Sequence, residues 1–307
     1  INMLFSFHKR RSETAMSEKY ETIVPSEPDA GERLQWVSWL RSAAPYVHLH
    51  HGRTFVISFA GEVVADRTLL NHLVMDVSLI ASMGMRVVIV HGSRPQIEEL
   101  MSLRKLEGQF YKGVRITGPQ ELECVKEACG ETRFDIEAAF SQGLPNTPMQ
   151  HSRIKVVSGN FVTARPMGII DGVDYLHTGV VRKVDAESIQ DLLSRGNIVL
   201  VSPTGFSPTG EAFNLTTEDV ATAIAVAIHA DKLILSVGVD GVRIQGEKQQ
   251  DLTAQQAQAL IQSKQVDDED VYNLGYALRA IKGGVDRVHI VPYAMDGGIL
   301  TELFTLS

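Results

Sequence analysis

The 307-residue chain carries 37 acidic against 29 basic residues, a formal charge of −8, and is 44% hydrophobic. That is enough apolar material for a sizeable core, and the acidic balance lacks the basic excess of a nucleic-acid binder. No run approaches the ~20 apolar residues of a membrane-spanning helix. The only cysteines, Cys124 and Cys129, have neither the spacing nor the company of a zinc site; they read as reduced thiols of a cytoplasmic protein.

Residues 1–30 mix charges, hold few aliphatics and contain Pro25 and Pro28, the composition of a disordered tail. His8-Lys-Arg-Arg11 follows an apolar run too short for a signal peptide, and Glu13 argues against a transit peptide. Glu32 to Ala43 has helical spacing, with Leu34, Trp36, Val37 and Leu40 on one face. Pro45 is expected to stop this helix. Lying ahead of the first core strand, it either packs on its own domain or meets a partner subunit. His48, His50 and His51 then read as metal ligands or as hydrogen-bonded loop side chains; no carboxylate or cysteine shares their spacing.

Thr54 to Phe59 is β-branched and aromatic, a buried central strand, and Ala60-Gly61 turns it into a helix over 66–83. Ligands in open α/β sheets sit at such strand-to-helix turns. No lysine follows the strand; Ser58 stands where a phosphate-handling cation would be. A strand over 85–90 enters the turn His91-Gly-Ser-Arg-Pro95, followed by a helix to Leu103. Backbone N–H groups at Gly92 and Ser93, with the Arg94 fork, suit a carboxylate or phosphate; the alternative is an ordinary turn with a surface arginine. Residues 111–117 form a short strand in which Arg115 is a second candidate anion clamp or a solvated side chain.

Pro119 opens a helix interrupted near Gly130 and reaching Ser141. Two strands flank Gly159-Asn160, and 175–184 is a further β excursion. A helix over 186–195 leads to the strand 198–201, then a loop over 203–210. Asn214, ahead of the apolar helix 217–230, is a cap or a ligand residue. The strand 233–237, helices 254–263 and 271–282, strand 288–291 and helix 299–304 complete the chain. Strands separated by helices of this length predict a mostly parallel sheet covered on both faces, an α/β domain over 31–307.

There is no G-x-x-x-x-G-K-[ST], no G-x-G-x-x-G after a strand and no G-x-S-x-G. The acetyl-CoA pyrophosphate pattern [RQ]-x-x-G-x-[GA] is also absent: Arg115, Arg165 and Arg243 each have glycine three later, but the sixth positions are Gln120, Ile170 and Lys248.

Several runs together do carry a resemblance: HGSRPQI at 91–97, YKGVRIT at 111–117, VVSGNFVTARP at 156–166, DGVDYLHTGVVRKVDAESI at 171–189, FNLTTEDVATAIA at 213–225 and GGILTELF at 297–304. From about residue 33 onward the chain resembles the amino-acid-kinase-like domain of bacterial N-acetylglutamate synthases. The resemblance implies a three-layer αβα sandwich with a central sheet of about eight strands. It also implies a place in the first step of arginine biosynthesis, the acetylation of glutamate. In that family a C-terminal acetyltransferase domain performs the acetyl transfer, and the kinase-like domain binds L-arginine as feedback inhibitor and builds the oligomer. The chain is therefore expected to stop short of the catalytic domain, to hold no catalytic residue and no cofactor (acetyl-CoA being co-substrate of the other domain), and to have as partners L-arginine, copies of itself through the helix 32–43, and the acetyltransferase domain.

Acetylglutamate kinases, the sister family, hold the transferring phosphoryl group with two lysines organised by an aspartate. The matching positions are Ser58, Asn273 and Glu218, and the paired glycines of the turn are reduced to Ala60-Gly61. Phosphoryl transfer depends on positioned positive charge, so no kinase activity is expected. Gly92, Arg115 and Asn214 match acid-binding positions of the kinases and read as a vestigial site, together with Ser93 and Arg94. The alternative is an active acetylglutamate-kinase-type phosphotransferase that uses other cations such as Arg94. The family's arginine site, carried over by position, falls on Tyr46, Lys232, His289 and Glu302, with Asp296 and Gly297 nearby; Glu302 suits a guanidinium and Lys232 a carboxylate.

Overall fold

A computed structural model describes residues 30–142, 154–238, 242–244, 247–248, 252–263 and 266–304. The tail expected over 1–30 falls almost wholly outside these residues. By its internal contacts the chain divides at Trp39/Leu40, and the fold below is that of the unit beginning at Leu40.

The first helix does not end at Pro45. α1 runs Ala30–His50 with the proline inside it. A proline in a helix interior costs ~3 kcal/mol through its missing N–H and its ring. The turn beyond it persists because His50 is buried: its Nε2 lies 3.0 Å from the Leu303 carbonyl oxygen, and its ring meets Phe55 and Phe304 edge-on. Leu34, Val37, Trp39, Leu40 and Leu49 are exposed on this helix.

The alternation then follows closely. β1 (Thr54–Phe59) leads through α2 (Gly61–Ala65) and α3 (Arg67–Ser82) to β2 (Arg86–His91) and α4 (Arg94–Leu103). Residues 109–116 form a hairpin, β3 (Gln109–Tyr111) and β4 (Val114–Ile116), where a single strand was expected. α5 (Pro119–Ser141) is continuous through Gly130. Glycine costs ~1 kcal/mol there relative to alanine, which the buried Cys124, Val125, Ala128, Cys129 and Ile136 outweigh. β5 (Val156–Ser158) and β6 (Val162–Pro166) stand where two strands were expected, a second hairpin, β7 (Ile169–Ile170) and β8 (Val173–Asp174), was not expected, and β9 is Gly179–Val184. After α6 (Ala186–Ser194) and β10 (Ile198–Val201), the stretch read as a loop contains β11 (Thr204–Phe206), followed by β12 (Ala212–Asn214). Then come α7 (Thr217–Ala227), β13 (Lys232–Val237), a small β14 (Arg243–Ile244) and β15 (Glu247–Lys248), α8 (Ala254–Ser263), α9 (Asp268–Lys282), β16 (Arg287–Pro292) and α10 (Gly298–Phe304).

Among the described residues the main sheet has six strands in the order β16-β13-β1-β2-β10-β5, every pair parallel. Beside it, β6, β9, β11 and β12 make a separate four-stranded sheet, so the described residues divide between two sheets the strands expected in one of about eight. β1 sits inside the main sheet with all six residues buried. Alternate residues serve opposite faces, as strand geometry requires. Val56, Val88, Leu233 and Leu235 pack with α6 and α7; Phe55, Ile57, Phe59, Ile89 and Ile234 pack with α3, α5 and α10. Each such side chain contributes ~1.5–3 kcal/mol. The result is the three-layer αβα sandwich, and it aligns the carboxyl ends of β1, β2, β13 and β16 along one rim.

Candidate functional site

At that rim, β1 and β2 end in two turns that press together. The Gly92 N–H donates to the Phe59 carbonyl oxygen at 2.7 Å. A Cβ on Gly92 would lie 2.8 Å from the Gly61 nitrogen, and one on Gly61 would lie 2.7 Å from Gln96 Oε1. Only glycine fits either position. The closeness has a chemical consequence: the Gly92 N–H, expected to be open to an anion, is already used inside the turn. Ser93 is buried and donates to Thr132 Oγ1 at 3.2 Å. His91 lies fully buried between Ser93 and Ser202, its Nε2 2.8 Å from Ser202 Oγ. Burial holds its imidazole down to about 4, so it is neutral at pH 7.

The cations of this rim are engaged as well. Arg115 is 7% exposed; its guanidinium pairs with Glu98 and lies 4.6 Å from the Phe110 ring centre. Arg94, exposed, approaches the same ring at 5.5 Å. A ligand carboxylate at Arg115 would have to displace Glu98. Asn214 ends β12 and caps no helix: its Nδ2 donates to Thr117 Oγ1 at 3.0 Å, and Thr117 in turn meets Thr178 at 2.8 Å.

The positions that match the kinase lysines hold no charge. Ser58 is 3% exposed, paired in register with Val90 and Leu235. Asn273 on α9 is 3% exposed and its Nδ2 has no hydrogen-bond partner among the described residues. Glu218, in the first turn of α7, is held well above the usual carboxylate range, by burial first and then by the neighbouring Asp219 and Glu269 carboxylates. A γ-phosphate would find no positive side chain at these three positions. Ala60 is extended and opens α2.

The second group of candidates splits in two. Lys232 opens β13, 8% exposed, and pairs in register with Arg287 at the start of β16. Burial lowers the Lys232 ammonium first, the Arg287 charge lowers it further, and Glu302 raises it. His289, two residues along β16, has Nδ1 2.5 Å from Glu302 Oε1 on α10, with the two side chains 11% and 32% exposed. Its Nε2 is buried without a hydrogen-bond partner among the described residues. Tyr46 is half-buried one helical turn before His50, on the side of α1 that meets Leu303 and Phe304. These residues gather a carboxylate, a cation and an imidazole at the edge of the sheet.

Asp296 and Gly297 are elsewhere. Asp296 pairs with His72 of α3 at 3.2 Å, and Gly297, with φ +65°, starts the turn into α10. The chain carries them to the opposite end of that helix from Glu302. Sequence reading also missed Asp76, one turn after His72. Its carboxyl is pushed up to about 6, by burial first and then by Asp296. The signal was the i, i+4 pair of titratable residues inside an apolar helix. Of the histidine cluster, His50 bonds Leu303 and His51 Nδ1 lies 3.1 Å from the Met83 carbonyl oxygen. They sit at the end of α1 and just after it, and face separate partners. Among the described residues no helix is long and apolar enough to cross a membrane.

The amino acid kinase family model matches residues 53–292. An amino-acid acetyltransferase of Ralstonia nicotianae is 53% identical over 278 residues, 90% of this chain and 61% of that protein. Two crystal structures of N-acetylglutamate synthase from Neisseria gonorrhoeae superpose with TM-scores of 0.80. The one complexed with coenzyme A and N-acetyl-glutamate is 34% identical, covering 88% of this chain and 61% of that one. The one complexed with coenzyme A and L-arginine is 35% identical, covering 88% and 63%. The chain thus spans about three fifths of the length of these relatives. With the parallel sheet, the paired glycine turns and a family match across 53–292, the chain belongs to the amino acid kinase family.

Proposed function

We propose that this chain is the regulatory, amino-acid-kinase-like part of an N-acetylglutamate synthase, the cytoplasmic amino-acid N-acetyltransferase that makes N-acetylglutamate from acetyl-CoA and L-glutamate. L-arginine binds it as feedback effector, and the chain transfers no phosphate. The observation that carries this reading is the juxtaposition of Lys232, His289 and Glu302 at the sheet edge. Glu302 accepts the planar guanidinium fork, and Lys232 takes the α-carboxylate. Burial makes both contacts stronger than they would be in water. Tyr46 and the end of α1 border the site; Asp296 and Gly297 act at a distance, by fixing the start of α10.

The rim site supports the second half of the proposal. Ser58 and Asn273 supply no charge where the kinases place lysines, and Glu218 is left with no lysine to organise. Losing a single preorganised stabiliser costs roughly 10²–10³ in rate. The apolar side chains exposed on α1 support its expected role between copies of the chain. Acetyl transfer and acetyl-CoA binding belong to an acetyltransferase domain, with no cofactor assigned to this chain.

The test is a paired assay on purified protein. ATP turnover with N-acetylglutamate should stay at background while calorimetry with L-arginine shows saturable binding. Turnover above background would favour an acetylglutamate-kinase-type phosphotransferase that draws on Arg94; absence of both signals would leave a purely structural domain.

A further inference from the structure

A separate pocket lies between α3, the carboxyl end of β16 and the turn into α10. Its polar lining is His72, Asp76, Ser236, Tyr293 and Asp296, and Val63, Leu69, Leu73 and Ile299 are among its apolar walls. It shares no residue with the Lys232, His289 and Glu302 cluster. Its chemistry is unbalanced. Two carboxylates face one space, and no lysine or arginine is in its lining. His72 answers Asp296 at 3.2 Å, and Asp76 has no hydrogen-bonding or ion-pair partner of its own among the described residues. A second feature points inward. Ser236, 6% exposed, lines the pocket, and its hydroxyl makes no hydrogen bond with any described residue.

We infer that this pocket takes the head group of a primary alkylammonium ion, with Asp76 and Asp296 sharing its charge and Ser236 accepting one of its N–H bonds. The size admits this cation. The interior space is about 30 Å³, against the ~10–15 Å³ that one water needs by the same kind of measure. An ammonium head group fits this space. The stem then leaves along Leu69 and Val63, whose burial favours a carbon chain over a bare ion. The raised Asp76 carboxyl fits the same picture, because burial and Asp296 both penalise its charge until a cation arrives. This inference is independent of the arginine site, whose carboxylate is Glu302.

The test uses the whole chain at pH 7.5 with butylammonium chloride as probe, and ammonium chloride and sodium chloride at equal ionic strength as comparisons. Calorimetry and thermal unfolding should show saturable binding of butylammonium, at least ten-fold tighter than ammonium, with sodium inert. Asp76→Asn should weaken butylammonium at least ten-fold and leave L-arginine binding unchanged. Leu69→Trp, which fills the mouth and keeps both carboxylates, should do the same and serves if Asp76→Asn does not fold. No saturable butylammonium signal beyond sodium, equal binding of ammonium and butylammonium, or undiminished binding by folded Asp76→Asn or Leu69→Trp would overturn the inference. Loss of L-arginine binding by a folded Asp76→Asn would also overturn it, by merging the two sites.

Discussion

His289 Nδ1 and Glu302 Oε1 lie 2.5 Å apart, one on the edge strand and the other on the last helix. The contact positions the carboxylate that would receive a guanidinium. His289→Ala should therefore weaken L-arginine binding by about 0.5–1.5 kcal/mol, the worth of one hydrogen bond, roughly three- to ten-fold in Kd by calorimetry. A Kd equal to wild type would remove His289 from the site.

The strand-end turn offers a test of loss rather than gain. Ser58→Lys restores one cation, but Asn273 remains neutral and Glu218 remains where an organising aspartate would be expected. ATP turnover with N-acetylglutamate should stay at background in this variant. Recovery by the single change would contradict the account of why the rim is silent.

Asp219 ties three elements together. Its Oδ1 pairs with Arg279 of α9 at 2.6 Å, and its Oδ2 accepts the Val181 N–H of β9 at 2.9 Å. The carboxylate is 7% exposed. Asp219→Ala would leave the Val181 N–H short of its partner and remove the ion pair of the half-exposed Arg279, so unfolding in urea should show a loss of about 1–3 kcal/mol.

His91 should make stability depend on pH. Its folded value, about 4, lies below the ~6.5 of an unfolded histidine, so the unfolded chain binds more protons between these values. The contribution is complete above pH 6.5 and is lost as pH falls to about 4. Asp76 and Glu218, raised in the fold, act in the opposite direction and cancel in a comparison of variants. The stability advantage of wild type over His91→Gln should shrink by about 3 kcal/mol between pH 7 and pH 4. A difference independent of pH would show that His91 is not held neutral.

Much of the fold was legible because its main strands are continuous apolar runs. Thr54–Phe59, Ile198–Val201 and the helix Ala254–Ser263 stand where periodicity placed them. What was not legible depends on contacts between distant residues. Pro45 should have ended α1, but the burial of His50 against Leu303 and Phe55 carries the helix past it. The hairpin 169–174 was missed although Asp171-Gly172, both at positive φ, is a hairpin turn signal. At the candidate sites the residue types were visible but their commitments were not. No spacing announces that Glu98 answers Arg115, that Phe59 uses the Gly92 N–H, or that Asp296 belongs with His72 instead of Glu302.

The central claim is that an arginine effector site lies at the sheet edge, built on Glu302. The most direct test is calorimetric titration of L-arginine into wild type and Glu302→Ala, with circular dichroism to confirm that both fold. Wild type should bind saturably. The variant should lose about 1.5–3 kcal/mol, the worth of hydrogen bonds to a charged group, at least ten-fold in Kd. Equal binding by a folded Glu302→Ala would contradict the account.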